Sequence, residues 1–259
     1  VISRTGTAEQ FFDELQGVVG RSFKHRRQYQ IQKEAFNELI ATLEEGHILM
    51  VADFQERYAH LEQDEVQSQH WNHTSTTLFP APIFFKKNGV VWAYSFVVLS
   101  DDCSQDNAWV QHTLNRLLKH EIPDLLARIG APRMTRLTLI TDNCSKKFKC
   151  CYSFGWVADC NIYVAGDPST RLHVEAHYFG SCHGKSMSDS EGGVVKTYSR
   201  SKVVNGVWVL KGSFDLFEKL SAALSFELRE PTNGEIGDFM RGRNLSRRDE
   251  DSAQLIMTK

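Results

Sequence analysis

The sequence predicts a mixed α/β domain: a five-stranded mixed sheet flanked by helices, with helical extensions at its N-terminal and C-terminal ends. Three observations predict it. Residues 48–52 and 137–141 are short apolar runs of strand length, and each stops at an aspartate. Asn88-Gly89 separates two stretches rich in Val, Phe, Trp and Tyr, the signature of a tight hairpin. Helical spacing of apolar residues then recurs between and beyond these runs, as in a sheet covered by helices.

The elements follow in order. Residues 8–45 read as helical, with Phe36, Leu39, Ile40 and Leu43 at i, i+3, i+4 and i+7 on one face. Inside this region Lys24-His25-Arg26-Arg27 forms a basic cluster, either a solvated face or a set of phosphate contacts. Residues 48–52 make the first strand and end at Asp53; residues 76–85 and 90–100 make the hairpin. Val110, Leu114, Leu117 and Leu118 mark a helix closed by Gly130-Ala131-Pro132. Residues 137–141 form the fourth strand, ending at Asp142, and a helical or irregular segment spans 146–156. Residues 172–179 alternate as a strand, and Leu216, Phe217, Leu220 and Leu224 space as a last helix. Past Pro231 a polar tail carries Arg241, Arg243, Arg247 and Arg248 and is expected to be mobile. Three regions result: a helical one at 1–45, the sheet domain at 46–230 and the tail at 231–259.

Composition bounds the function. The 259 residues, 41% of them hydrophobic and 24% charged, bury roughly 70–75% of the unfolded chain's surface, which excludes disorder over most of the length. No apolar run approaches the ~20 residues of a membrane span, and residues 1–6 lack the layout of a signal peptide, so no membrane partner is expected. Six cysteines, with Cys150 and Cys151 adjacent, are too few for a disulfide scaffold and point to reduced thiols in a reducing compartment. With a net charge of -2, any binding of nucleic acid has to come from local basic patches.

The acidic residues carry the chemistry. In a mixed sheet the first and fourth strands can lie side by side and parallel, which brings Asp53 and Asp142 to one edge. A third carboxylate, Asp189, can lean over that edge from the following helix. Three such groups within a few Å cannot all ionise without a cation, and carboxylate ligands suit Mg²⁺ or Mn²⁺. Two ions would activate a water or hydroxyl and stabilise the leaving oxygen of a phosphodiester. For any one of these aspartates alone, capping a turn is the alternative.

The motifs Asp53-Phe54-x-Glu56-x-Tyr58, Asp64-Glu65-Val66-Gln67-Ser68-x-His70-Trp71, Ser100-Asp101-Asp102 and Thr141-Asp142-Asn143-x-Ser145-x-x-Phe148-Lys149 occur in this order. His183-Gly184-Lys185-x-x-x-Asp189-x-x-Gly192-Gly193-x-x-Lys196 follows them. Together, over about residues 45–200, the set resembles a eukaryotic family of transposase-derived proteins with a ribonuclease H-like, retroviral integrase-like catalytic core. The resemblance implies a ribonuclease H-like fold and metal-dependent cleavage or strand transfer on nucleic acid, DNA rather than RNA, in the nucleus or after entry into a host cell. It implies that Asp53, Asp142 and Asp189 are the catalytic, metal-holding carboxylates, with His183 and Lys185 beside them. Glu191 stands where that family has no acid and is a substitute candidate for Asp189; Cys144, Cys150 and Cys151 also depart from the pattern.

Read for itself, a helix over 185–196 places Lys185, Asp189 and Lys196 on one face, a carboxylate between two cations. Gly192-Gly193 either lets a backbone approach closely or ends that helix early. Lys146, Lys147 and Lys149 make a basic patch beside Asp142, for phosphate or as a solvated face, and Lys196 joins them as a nucleic-acid contact. His173, Glu175 and His177 share a strand face and could hold zinc with Cys182 or His183. Glu65 and Asp102 are secondary acidic candidates near the same edge, and Gln67 and His70 either belong to the site or decorate a polar sheet face. Neither a Gly-x-Ser-x-Gly elbow nor a Gly-x-x-x-x-Gly-Lys-Ser/Thr phosphate loop occurs. Two functions follow: a Mg²⁺- or Mn²⁺-dependent nuclease or transposase-type enzyme, or a catalytically silent module that binds nucleic acid or protein in the same groove.

Overall fold

Strand β1 (His47–Ala52) is buried at every residue. A strand with no solvent face needs neighbours on both edges and cover on both faces, and the computed structural model supplies them. It describes residues 7–60, 74–163, 172–180, 187–223 and 253–258. The other strands are β2 (Tyr58–Ala59), β3 (Ser75–Lys87), β4 (Val90–Ser100), β5 (Arg136–Thr141), β6 (His173–Tyr178) and β7 (Ala253–Thr258). Six of them lie in the order β6-β5-β1-β3-β4-β7, and β2 pairs with β3 off this path. The pairs β1–β5, β5–β6 and β4–β7 are parallel, and β1–β3 and β3–β4 are antiparallel. The hairpin turns at Asn88 and Gly89, whose φ values of 52° and 80° match the twist of the flanking strands.

The sheet is therefore mixed, as expected, but it has six strands in this path instead of five. The sixth, β7, lies inside the segment expected to be a mobile tail. Its Ala-Gln-Leu-Ile-Met-Thr sequence pairs in parallel with the edge of β4, from Ala253 beside Ser95 to Thr258 beside Ser100. Arg241, Arg243, Arg247 and Arg248 lie outside the described residues.

Two apolar layers hold the sheet. On one face Ile48, Met50, Phe79, Ala81, Ile83, Phe96 and Val98 pack with residues of α2 (Asn107–Arg116), a π-helical turn (Leu117–Glu121) and α3 (Ile122–Ile129). Helix α4 (Cys151–Tyr163) adds Cys160 to this layer. On the other face Leu78, Val97 and Leu99 pack with Val195 of α5 (Met187–Val204) and Leu216 and Leu220 of α6 (Ser213–Ala223). Leu78 and Phe79, neighbours in sequence, enter opposite layers, the period-two rule of a strand.

The chain divides into two units, Val1–Ala41 and Thr42–Lys259. The first holds α1 (Ala8–Ala41), opened by a capping box: Thr7 N–H donates to Gln10 Oε1 at 3.0 Å, and Gln10 N–H donates to Thr7 Oγ1 at 3.3 Å. Phe36 and Leu39 are half-buried and Ile40 is buried, as their spacing predicts, while most of the helix is exposed.

Candidate active site

Pro80 and Pro82 interrupt the ladder where the site forms. Residues 78, 80 and 82 of β3 turn their backbone groups toward β1, and a proline there has a carbonyl but no N–H. Pro80 O accepts from Asp53 N–H at 3.4 Å and Leu78 O accepts from Gln55 N–H at 3.0 Å. The chain leaving β1 is thus held through carbonyls of β3 at these positions, and it pairs with β3 again at β2, Tyr58 beside Thr76.

Strands β1 and β5 run in register from His47 beside Arg136 to Ala52 beside Thr141, so Asp53 and Asp142 are the next residues out of two adjacent parallel strands. Both carboxylates turn back on their own chains, Asp53 Oδ1 accepting from Phe54 N–H at 2.8 Å and Asp142 Oδ1 from Asn143 N–H at 2.7 Å. Between Asp53 and Gln55, Phe54 points into the core, its ring 5.0 Å from those of Phe79 and Trp109. That anchor fixes the polar residues on either side of it.

The third carboxylate comes from α5, with Asp189 in its first turn. Two contacts hold this helix end to the sheet edge: buried Ser188 Oγ donates to Val51 O at 3.2 Å, and Gln55 Nε2 donates to Asp189 Oδ1 at 2.9 Å. The helix can come this close because residue 192 has no side chain. A Cβ there would stand 2.2 Å from Gln55 Cγ and 2.6 Å from its Cδ. Close approach, rather than an early helix end, is therefore the role of Gly192, and α5 continues to Val204.

The electrostatics of the edge follow from this crowding. Burial first, and then the Asp142 carboxylate, push the Asp53 carboxyl up to about 7. Asp189 adds to the rise, while the Phe54 N–H and Lys147 oppose it. The three aspartates thus act on one another, yet among the described residues no three His, Cys, Asp or Glu side chains are already gathered around a metal-sized space. Asp189 is instead engaged by the Gln55 amide.

The basic residues separate by role. Lys147 points inward: its Nζ lies 4.6 Å from the Phe54 ring centre and donates to Gln105 Oε1 at 3.1 Å. Lys146 and Lys149 are exposed, with the Lys149 Nζ 5.5 Å from the Tyr178 ring centre. Lys196 lies 3.6 Å from Glu56 Oε2. Gln55 and Glu56 thus meet α5 at Asp189 and at Lys196, two turns apart.

Other expected residues resolve differently. His183, Lys185, Cys182, Glu65, Gln67 and His70 lie outside the described residues. Glu191 is buried in α5. Asp102 caps a turn, its Oδ1 accepting from Ser104 N–H at 2.8 Å. Glu175 sits in an ion-pair cluster with Arg136 at 2.9 Å, His173 at 3.0 Å and His177 at 3.8 Å. Hydrogen bonding from His173, with Arg136 adding, lowers its carboxyl to about 2. Cys144 O accepts the Lys147, Phe148 and Lys149 N–H groups, a turn-forming role. The residue that sequence reasoning missed is Gln55; its signal was a glycine in the interior of a helix beside the third acid.

A family model described as "Domain of unknown function (DUF8701)" matches residues 32–221. No curated protein and no solved structure matches the chain.

Proposed function

The chain belongs to the DUF8701 family, a domain of unknown function, and we propose that its sheet edge is the catalytic centre of a divalent-cation-dependent nuclease or transposase-type phosphoryl transferase acting on DNA. The observation that carries this reading is the meeting of Asp53 and Asp142 at the ends of adjacent parallel strands, with Asp189 held over them from α5. We read the fold as ribonuclease H-like. A central β1 flanked on one side by the parallel strands β5 and β6, and on the other by the antiparallel β3–β4 hairpin, supports that reading, as does the motif series from Asp53 to Lys196.

The donor set fits a hard cation. A carboxyl kept protonated up to about pH 7 by burial and two other acids exchanges its proton for a metal charge. Asp53, Asp142 and Asp189 would hold Mg²⁺ or Mn²⁺. When bound, such a cation supplies an activated water or hydroxyl and charge stabilisation for the leaving oxygen. The chain's own residues do the rest: Phe54 anchors the turn that presents Asp53, Gln55 orients Asp189, and Lys147 offsets part of the negative charge at Asp53. Nuclear location would follow from such a role.

One observation favours a second reading, a silent binding module: Asp189 is taken up by the Gln55 amide. A nuclease assay separates the two. Plasmid, single-stranded DNA and RNA are incubated with Mg²⁺, Mn²⁺ or chelator, beside Asp53→Ala and Asp142→Ala. Cleavage that needs both the metal and the two aspartates is the expected result. No cleavage, together with no shift of melting temperature on adding metal, would overturn the nuclease and favour the binding module.

A further inference from the structure

We propose that the exposed apolar face of α1 pairs antiparallel with α1 of a second copy of this chain. Every residue from Thr7 to Ile31 is exposed, and the apolar ones near the start of the helix are not scattered. At about 100° per residue, Phe11, Leu15 and Val18 fall along one row of the helix and Phe12, Val19 and Phe23 along the next. The two rows make a single face about 140° wide, with no charged residue on it from Phe11 to Phe23. Phe11, Phe12 and Phe23 are 64%, 64% and 69% exposed, which offers on the order of 400 Å² of ring surface on each copy. Leu15, Val18 and Val19 take a pair past the ~1,000 Å² that a specific interface needs. Single exposed apolar residues need no explanation, but a contiguous face of this size marks an interaction site.

The helix gains from such a partner. A helix draws most of its stability from packing an apolar face, and Gly17 and Gly20 weaken the interior of this one. Charge selects the occupant and its direction. Glu9, Asp13 and Glu14 lie in the first turns, and Arg21, Lys24, Arg26 and Arg27 follow them. At the same helical spacing, Glu9 and Asp13 share one side of the apolar face with Lys24 and Arg27. In a two-fold antiparallel pair, each side of the face meets the same side on the other copy. With the copies centred near Gly17 and Val18, Phe12 of each lies beside Phe23 of the other. Glu9 and Asp13 of each then lie beside Arg27 and Lys24 of the other. A parallel pair would instead set acids against acids and bases against bases, which costs stability. The basic cluster Lys24-His25-Arg26-Arg27 thus has its counterpart in the acids of a second copy.

Sedimentation equilibrium of the full chain over the micromolar range tests this. The parent is expected at the mass of two copies, dissociating on dilution. Phe12→Ser/Phe23→Ser, at side chains already exposed in the single copy, should sediment as one copy throughout. Glu9→Lys/Asp13→Lys and Lys24→Glu/Arg27→Glu should each weaken association by about tenfold or more. All four changes together should restore association to near that of the parent. Restoration separates pairing from a mere loss of helix, because the combined variant keeps the lysines at the helix start. A parent that stays at one copy overturns the proposal, and if it then cosediments with phosphatidylserine vesicles the face serves a lipid surface instead. A two-copy mass that the phenylalanine variant retains also overturns it, since the contact then lies elsewhere. Reversal at the acids that leaves association equal or tighter overturns the antiparallel arrangement. None of these readouts involves cleavage, so the proposal fails or stands independently of the carboxylate edge.

Discussion

Gly192 and Gln55 form a pair whose energetics can be written before any measurement. In the middle of a helix, Gly→Ala ordinarily stabilises by about 1 kcal/mol. At residue 192 the new methyl meets Gln55 Cγ at 2.2 Å, inside any permitted contact, and overpacking of this kind costs about 1–3 kcal/mol. Gly192→Ala should therefore destabilise the parent. In the Gln55→Ala background the obstructing atoms are gone, and the same substitution should stabilise. Urea denaturation of the four proteins measures the cycle, and additivity within ~0.5 kcal/mol would show that the two residues do not touch. Gln55→Ala also frees Asp189 from its amide donor. If the edge is catalytic, Gln55→Ala lowers turnover more than it lowers binding of an uncleaved substrate, because Gln55 is a positioning residue and not a ligand to phosphate.

At the scale of the element, helix α2 tests whether the site is carried by the scaffold. Asp106 caps it, Oδ1 accepting from Trp109 N–H at 2.9 Å, and Trp109 packs its ring on Phe54 and Phe79. Asp106→Ala should cost about 1 kcal/mol of stability and loosen the anchor under Asp53, seen as a lower melting temperature. An unchanged melting temperature would mean that the cap contributes nothing measurable. The same elements show what was legible in the sequence. The apolar runs gave β1 and β5, Asn88-Gly89 gave the hairpin, and the aspartates ending the two runs gave the edge, because each signal is local. Strand β7 was not legible, since Ala-Gln-Leu-Ile-Met-Thr holds only Ile and Thr of the strand-favouring types and follows a polar segment, so its pairing shows only beside β4. Nor was the contact between Gln55 and Asp189, 134 positions apart, although Gly192 hinted at something close. The part played by Pro80 was not legible either, because only the register shows that its carbonyl meets the Asp53 N–H.

For the molecule as a whole, burial and the crowding of acids couple stability to pH through one group, and the proposed cation would act through the same group. The Asp53 carboxyl ordinarily titrates at 3.8 and is raised to about 7 in the fold. Between those values the folded state holds a proton that the unfolded chain has lost, so this group's contribution to stability is fully present below about pH 4 and drains away as pH rises through about 7. The loss amounts to at most about 4 kcal/mol. Asp53→Asn cannot lose that proton, so the variant should melt at a higher temperature than the parent at about pH 8, and this advantage should shrink steadily and vanish as pH falls below about 4. On the proposed reading a divalent cation would work in the opposite sense, competing with the proton for the same oxygens. The rise in melting temperature produced by Mn²⁺ should therefore grow with pH across the window around 7, with affinity changing up to about tenfold per pH unit on the acidic side. In Asp53→Asn both the rise and its pH dependence should shrink. Equal Mn²⁺ effects in parent and variant at every pH would detach Asp53 from cation binding. A pH-independent difference between their metal-free melting temperatures would show instead that burial and the neighbouring acids do not hold a proton there.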